Sequence, residues 1–433
     1  MQLTRFYVTK LFGLFDHEVI LKQDRATIIH APNGFGKTTL IRLLHSLCAG
    51  NLVSFLAVPF KEFGVELADG RLVEVSVQPE DSKEKRKSVI VRMGSEEWKW
   101  SLDERRDRAF PIVRQIDRDF PDLSRIGPDL WRTPDGRLVQ LEDLVNFYPN
   151  LTADRLSEDV PEWLIKLRND LPTRLVRAER LALPELSSAN RRSMSDGIFR
   201  PTVVNYSEEL QSLIRRTLAE YGAVSQSLDQ SFPQRLVSAT NASQLELSDL
   251  ETRLTRLAER RRQLAETGLL DLAQEQPLPA TTRMDGDTAR VLSVYVTDSE
   301  QKLSVLDDLH NRLGLLIAAV RKRFKHKSFV ISRSDGFGFI ADSGQPLRAT
   351  DLSSGEQHEL ILLYELLFKV PQGTLLLIDE PEISLHVAWQ VSFLEDTLKM
   401  AEAADIHVLI ATHSPQIINN RWDLTVELKD VVR

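Results

Sequence analysis

The sequence predicts an α/β fold, and three stretches carry that reading. A short apolar strand, Arg25–His30, runs into Ala31-Pro32-Asn33-Gly34-Phe35-Gly36-Lys37-Thr38-Thr39 and then into a leucine-rich helix that stops at Gly50. A second apolar strand, Thr374–Ile378, delivers two adjacent carboxylates, Asp379 and Glu380, at its C-terminal end. A third, His407–Ala411, ends in Thr412-His413-Ser414-Pro415. Strand, glycine turn and helix in that order form the context a phosphate-binding loop needs.

Along the chain, residues 2–8 alternate and read as a strand, with Glu18–Leu21 as its hairpin partner. Residues 63–77 hold the turn Ala68-Asp69-Gly70-Arg71 between two alternating runs, and 88–100 reads as another hairpin. Together they predict an antiparallel β subdomain inserted after the first helix. The run Lys83–Lys87 sits in a polar loop, a solvated loop by default and a nucleic-acid or partner patch in the other reading. Residues 101–170 are mixed, with a second Asp-Gly turn at Asp135-Gly136, and give no resolved fold. Residues 173–181 read as a strand ending in Glu179-Arg180, and 186–202, rich in Ser, Asn, Arg and Gly, as the most loop-like part of the chain.

A helical region follows. Leu247, Leu250, Leu254, Leu257 and Leu264 form a short heptad seam, with Arg261 at the broken step. A second helix over about 290–324 carries Leu306, Leu309, Leu313, Leu316 and Val320 on one stripe. Two striped helices predict an antiparallel hairpin, either packed as core or projecting as a coiled-coil arm. The basic cluster Arg321–Lys327 suits a helix C-terminus, and binding of DNA phosphate or an acidic protein is its other reading. A hairpin around Ser334-Asp335-Gly336 and an edge strand near Leu424–Leu428 complete the elements. The expected domains are 1–182, a helical insertion 183–327, and 328–433.

The bulk numbers set limits. With 433 residues, the length fits two or three domains at roughly 150 each. The chain is 42% hydrophobic and 27% charged, with a net charge of −8, so nothing in the total demands nucleic acid. One cysteine, Cys48, excludes an intrachain disulfide and any cysteine-based metal site, and fits a reducing cytosol. The N-terminus lacks a signal-peptide core. The longest apolar runs, such as Leu313–Val320, fall far short of the ~20 residues of a membrane span, so the expected location is cytoplasmic, without membrane contact.

The motifs divide the labour of nucleotide hydrolysis, which needs positioning and charge neutralisation more than covalent chemistry. The amides of Asn33, Gly34, Phe35, Gly36, Lys37, Thr38 and Thr39 cradle the phosphates, and Lys37 reaches the β and γ oxygens. Ala31 breaks the usual glycine at the first loop position, which is tolerable if its φ is negative. Thr38 and Asp379 are the expected Mg²⁺ ligands. Glu380 polarises the attacking water, and His413 hydrogen-bonds the γ-phosphate or that water.

Leu352-Ser353-Ser354-Gly355-Glu356 resembles the signature motif of ATP-binding-cassette ATPases, with Ser354 for the usual first glycine and Glu356 for the usual glutamine. The resemblance implies an ABC-ATPase head, of mixed and antiparallel sheets with flanking helices, carrying an inserted helical hairpin. It also implies that Ser353, Ser354, Gly355 and Glu356 cap the γ-phosphate on the phosphate loop of a second copy, a role that suits a helix N-terminus. Pro381–His386 resembles the D-loop, with His386 where an aspartate is common, and Glu179-Arg180 stands where the Q-loop is expected. A head-to-head dimer holding two ATPs with Mg²⁺ follows, with higher homo-oligomers beyond it. Across LFGLFDHEVIL, HAPNGFGKTTL, LSSGEQHELILLYELLF, LLLIDEPEISLHVAWQ and ATHSPQII, the chain is similar to the soluble OLD/RecF/SMC-like ATPases of bacterial anti-phage systems, among them those of PARIS-type defence. That likeness implies a sensor or scaffold for a viral trigger protein. It also implies a nuclease or toxin acting in trans, because the chain ends too soon after His413 for a Toprim domain. An SMC/RecF-like DNA-binding ATPase is the alternative.

Overall fold

The computed structural model describes residues 3–79, 87–101, 160–176, 182–184, 199–238, 247–271 and 286–428, with short pieces at 116–117, 123–127, 130–132, 138–140 and 144. The basic residues at 83–86, the Asp135-Gly136 turn, Glu179-Arg180 and most of 186–202 lie outside the described residues. The chain divides into two compact units, Met1–Thr202 with Ser354–Arg433, and Val203–Ser353.

In the first unit, six antiparallel strands form one sheet in the order Phe15–Ile20, Leu3–Leu11, Glu62–Leu67, Leu72–Pro79, Lys87–Met93, Glu96–Ser101. Burial alternates along Leu72–Pro79 because one face packs inward: Val73 and Val75 are buried while Glu74 and Ser76 are not. The tight turn at Asp69-Gly70 falls where expected, with Gly70 at φ +84°. A second sheet has five parallel strands in the order Thr173–Val176, Leu375–Asp379, His407–Thr412, Ala26–His30, Thr425–Glu427. Its inner strand Leu375–Asp379 is buried at every position. That is why this stretch reads as an unbroken apolar run.

The helix Lys37–Ala49 joins the two sheets into one core. Its Leu40, Leu44 and Leu47 share a cluster with Phe6 and Phe63 of the antiparallel sheet and with Leu377 and Leu409 of the parallel one. Burying each such side chain stabilises the fold by about 1.5–3 kcal/mol. The parallel register then aligns the strand ends. Asp379 pairs with Ala411, and Thr412 pairs with His30. Three adjacent strands therefore open at one edge into the glycine loop, the carboxylate pair and His413. The α/β architecture and its helical insertion are those the sequence led us to expect.

The second unit is mainly helical: Thr202–Ser238, Leu247–Glu266, Gly286–Ser304 and Asp307–Arg323. Leu250 and Leu254 pack with Ala289 and Val296, so these two residues of the expected seam pair two helices. Arg253 binds Glu300 of the helix Gly286–Ser304 at 2.5 Å, and Arg260 binds Asp307 at the start of the next helix at 2.5 Å. The single helix expected over 290–324 is two helices. Leu306 N–H donates to Leu303 O at 2.9 Å, closing a turn, and the next helix starts with Asp307 and Asp308 in its first turn, where the helix dipole favours negative charge. The stripe residues Leu306, Leu309, Leu313, Leu316 and Val320 are all buried.

The helical unit extends beyond the boundary expected at 327. The hairpin Lys327–Ser332 and Gly336–Ala341 belongs to it. The Ser207 hydroxyl donates to Asp335 O at 2.7 Å and accepts from Phe337 N–H at 2.9 Å, tying the hairpin to the longest helix. Around its entry, Arg321, Lys322, Lys325 and His326 are exposed while Arg323 is buried. Among the described residues, no helix is long and apolar enough to cross a membrane.

Candidate active site

The glycine loop has the backbone its sequence requires. Gly34 and Gly36 adopt φ of +89° and +82°, which glycine reaches at no steric cost. A Cβ on Gly36 would also stand 2.6 Å from Leu11 Cδ2. Ala31 is not among the positive-φ residues, so the missing first glycine costs no strain. Asn33 and Gly34 are exposed, while Phe35, Gly36, Thr38 and Thr39 are partly buried. The loop is pinned from the side by residues that motif reading passed over. His17 meets Phe35 O at 2.8 Å through Nε2, and the Phe15 ring lies 5.4 Å from that of Phe35.

Lys37 is only 4% exposed, and its Nζ donates to Ala31 O at 2.8 Å and Pro32 O at 3.0 Å. The ammonium is thus held under the loop by two neutral carbonyls. Thr38 lies one residue into the helix, and its Oγ1 donates to Asp379 Oδ1 at 2.9 Å. The fold brings the two expected metal ligands into contact, one from the helix Lys37–Ala49 and one from the strand Leu375–Asp379. A hydroxyl and a carboxylate are hard oxygen donors of the kind Mg²⁺ takes, with the remaining positions left to phosphate and water. Among the described residues, no group of three or more His, Cys, Asp or Glu side chains could hold a metal by protein ligands alone.

Glu380 follows Asp379 in a left-handed conformation, φ +41° and ψ 59°. A non-glycine residue there stores about 1–3 kcal/mol of strain, a feature that concentrates at functional sites. Its N–H donates to Ala411 O at 2.9 Å, tying the turn to the next strand. Its Oε1 lies 3.9 Å from His413 Nδ1. The expected water-polarising carboxylate and the expected phosphate-sensing imidazole therefore share one end of the sheet.

The same turn carries a residue that sequence reading did not single out. Glu382 is buried, and its Oε1 accepts from Thr412 Oγ1 at 2.6 Å and His413 N–H at 2.9 Å, while His413 Nδ1 stands 3.0 Å from the same oxygen. Gln390 braces the arrangement. Its Nε2 donates to Glu382 O at 3.3 Å and Leu385 O at 3.2 Å, and its Oε1 accepts from Ser414 Oγ at 3.0 Å. A cavity of about 600 Å³ opens beside this network, lined by Glu382, Ile383, Gln390, His413 and Ser414 among others. The only sequence signal was a second glutamate two residues after Glu380.

Ser353 and Ser354 are exposed, and the helix Ser354–Tyr364 starts directly after Ser353, with Gly355 and Glu356 partly buried in its first turn. The helix continues as a π-helical turn, Glu365–Lys369. Such turns recur at functional sites. Arg174 on the edge strand grips Glu365 there with two hydrogen bonds, at 2.5 and 3.0 Å. Pro381–Ser384 is a short 3₁₀ turn, and the exposed His386 ring lies 5.9 Å from that of Trp389.

With this geometry in view, residues 32–419 match the protein family described as "AAA domain, putative AbiEii toxin, Type IV TA system". The chain belongs to this family of AAA-type ATPase domains. No curated protein matches the chain in sequence comparison. Among solved structures, it aligns with the Smc head domain with an extended coiled coil bound to the C-terminal domain of ScpA, from Pyrococcus furiosus. That alignment has 11% identity, covers 99% of this chain and 94% of the other, and gives a TM-score of 0.34. A second SmcHead structure, bound to the C-winged helix domain of ScpA, aligns at 10% identity over 97% and 92% of the two chains, with a TM-score of 0.34.

Proposed function

We propose that this protein binds and hydrolyses ATP with Mg²⁺ and that hydrolysis takes place in a head-to-head pair of chains. The observation that carries the reading is the contact of Thr38 with Asp379 beside Glu380 and His413. In this scheme Thr38 and Asp379 would hold Mg²⁺, which would supply positive charge against that building on the phosphate oxygens. Lys37 Nζ exchanges its two carbonyl partners for β and γ oxygens when nucleotide enters the loop. Glu380 accepts a hydrogen bond from the attacking water and orients it in line with the γ-phosphorus. His413 contacts the γ-phosphate side of that water.

Ser353, Ser354, Gly355 and Glu356 of one copy close the site by capping the γ-phosphate held by the other. Exposure of both serines at the start of a helix supports this role, since N–H groups and hydroxyls at a helix start suit an anion. ATP then joins two heads and hydrolysis releases them. Membership of a family named for toxin–antitoxin systems, together with the sequence likeness to OLD-like and PARIS-type ATPases, supports a sensor or scaffold role in anti-phage defence. The scaffold answers a viral trigger protein and restrains or frees a separate nuclease or toxin. The test of the enzymatic reading is phosphate release from ATP by the purified chain with Mg²⁺, and its loss in Lys37→Ala.

A second reading, an SMC/RecF-like ATPase that binds DNA, is favoured by the exposed Arg321, Lys322 and Lys325. Duplex binding whose log affinity falls steeply with log salt, and which is lost on neutralising those residues, supports it. Salt-insensitive or absent binding removes it.

A further inference from the structure

We propose that Glu382 is a positioning residue for ATP hydrolysis: its buried carboxylate fixes the tautomer and direction of the His413 imidazole. This rests on the reading of the site as an ATPase.

The hydrogen-bond inventory around one oxygen decides the tautomer. Glu382 Oε1 accepts from the His413 backbone N–H, a donor that cannot reverse, and from the Thr412 hydroxyl. Thr412 Oγ1 in turn accepts from Ser414 N–H at 3.0 Å, which leaves its own proton for Glu382. An oxygen facing those two donors carries no proton of its own, whatever the state of Oε2. His413 Nδ1 stands 3.0 Å from that oxygen, and a lone pair on it would face the oxygen's own, so Nδ1 is the nitrogen assigned the proton. Nε2 is then directed away from Glu382.

Burial makes this hold firm. The Glu382 side chain is 6% exposed, whereas that of His413 is 41% exposed. A solvated partner would exchange with water, whereas this one sits in low dielectric and its hydrogen bonds strengthen accordingly. The competing carboxylate, Glu380, lies 3.9 Å from the same nitrogen against 3.0 Å for Glu382. Nδ1 is thus engaged by Glu382, and Glu380 keeps its carboxylate for water. Two neighbouring glutamates on one turn divide the work, one directing the imidazole and one addressing the nucleophile. A carboxylate that orients a working histidine through Nδ1–H is a general solution to the same physical problem.

The test combines a double-mutant cycle with a spectroscopic readout on the full-length chain. Glu382→Gln is expected to lower kcat by about 10- to 100-fold, with KM for ATP held within about 3-fold. If Glu382 acts through His413, adding Glu382→Gln to His413→Gln costs nothing further, whereas a purely structural role multiplies the two losses. In ¹⁵N-histidine spectra of the wild-type chain, the His413 ring, assigned by its disappearance in His413→Gln, is expected to carry its proton on Nδ1. Glu382→Gln is expected to shift that population toward Nε2–H. A wild-type ring protonated on Nε2 alone, or multiplying losses in the double variant, overturns the proposal. The ring spectrum needs no turnover, so a chain that hydrolyses no ATP would refute the enzymatic reading while the spectrum still judges the Glu382 contact.

Discussion

Thr38 Oγ1 donates to Asp379 Oδ1 at 2.9 Å although 341 positions separate the two residues. The contact exists because the helix after the glycine loop and the strand Leu375–Asp379 share a core, and because the parallel register aligns the strand ends. Asp379→Asn keeps the shape and removes the charge. It is expected to reduce turnover by about 100-fold or more and to narrow the difference between ATP affinity with Mg²⁺ and with EDTA. Titration of a fluorescent ATP analogue in both buffers checks this.

Glu380→Gln is expected to slow phosphate release by about 10²–10⁴-fold while ATP binding persists. Because the bound nucleotide is not consumed, the paired heads should accumulate. Light scattering after size exclusion, with and without ATP, reads the mass. A variant that turns over at the wild-type rate removes Glu380 as the water-orienting group.

The glycine loop, the carboxylate pair and His413 were legible because each is a local pattern at the end of an apolar strand. The parallel sheet was legible too, since strands buried on both faces leave uninterrupted apolar runs such as Leu375–Ile378. Glu382 was not. Its role depends on Glu380 entering a left-handed turn and on the next strand bringing Thr412 and His413 alongside, and neither is encoded in local spacing. The break at Leu306 was missed because the apolar stripe begins at that residue and runs only along the second helix, so it does not mark where the first one ends. The reach of the helical unit to Ser353 rests on tertiary ties such as Ser207 to the Asp335 turn.

Leu254→Ala tests the helical pair. Leu254 is 3% exposed and packs in the cluster with Val296, so truncation is expected to cost about 2–5 kcal/mol. Denaturant unfolding followed by circular dichroism measures it.

His407 gives a pH dependence with a definite sign. Burial, with the Arg25 charge nearby, holds its imidazole below the usual value. The unfolded chain therefore takes up that proton first, near pH 6.5, as acidity rises. The contribution is fully present above that pH and lost as pH falls below it. The melting temperature of the wild type is expected to drop more between pH 7.5 and 5.5 than that of His407→Gln.

The central claim is that a working site is built from two copies, one giving the phosphate loop and the other the signature. The most direct measurement mixes two inactive variants, Lys37→Ala and Ser353→Arg. Each alone is expected to show no turnover, and Ser353→Arg should still bind ATP. In a mixed pair one site combines both lesions and the other is intact. A one-to-one mixture is thus expected to recover about a quarter of wild-type activity by the symmetry of a two-fold pair. Activity no greater than the sum of the separate variants would contradict a shared site.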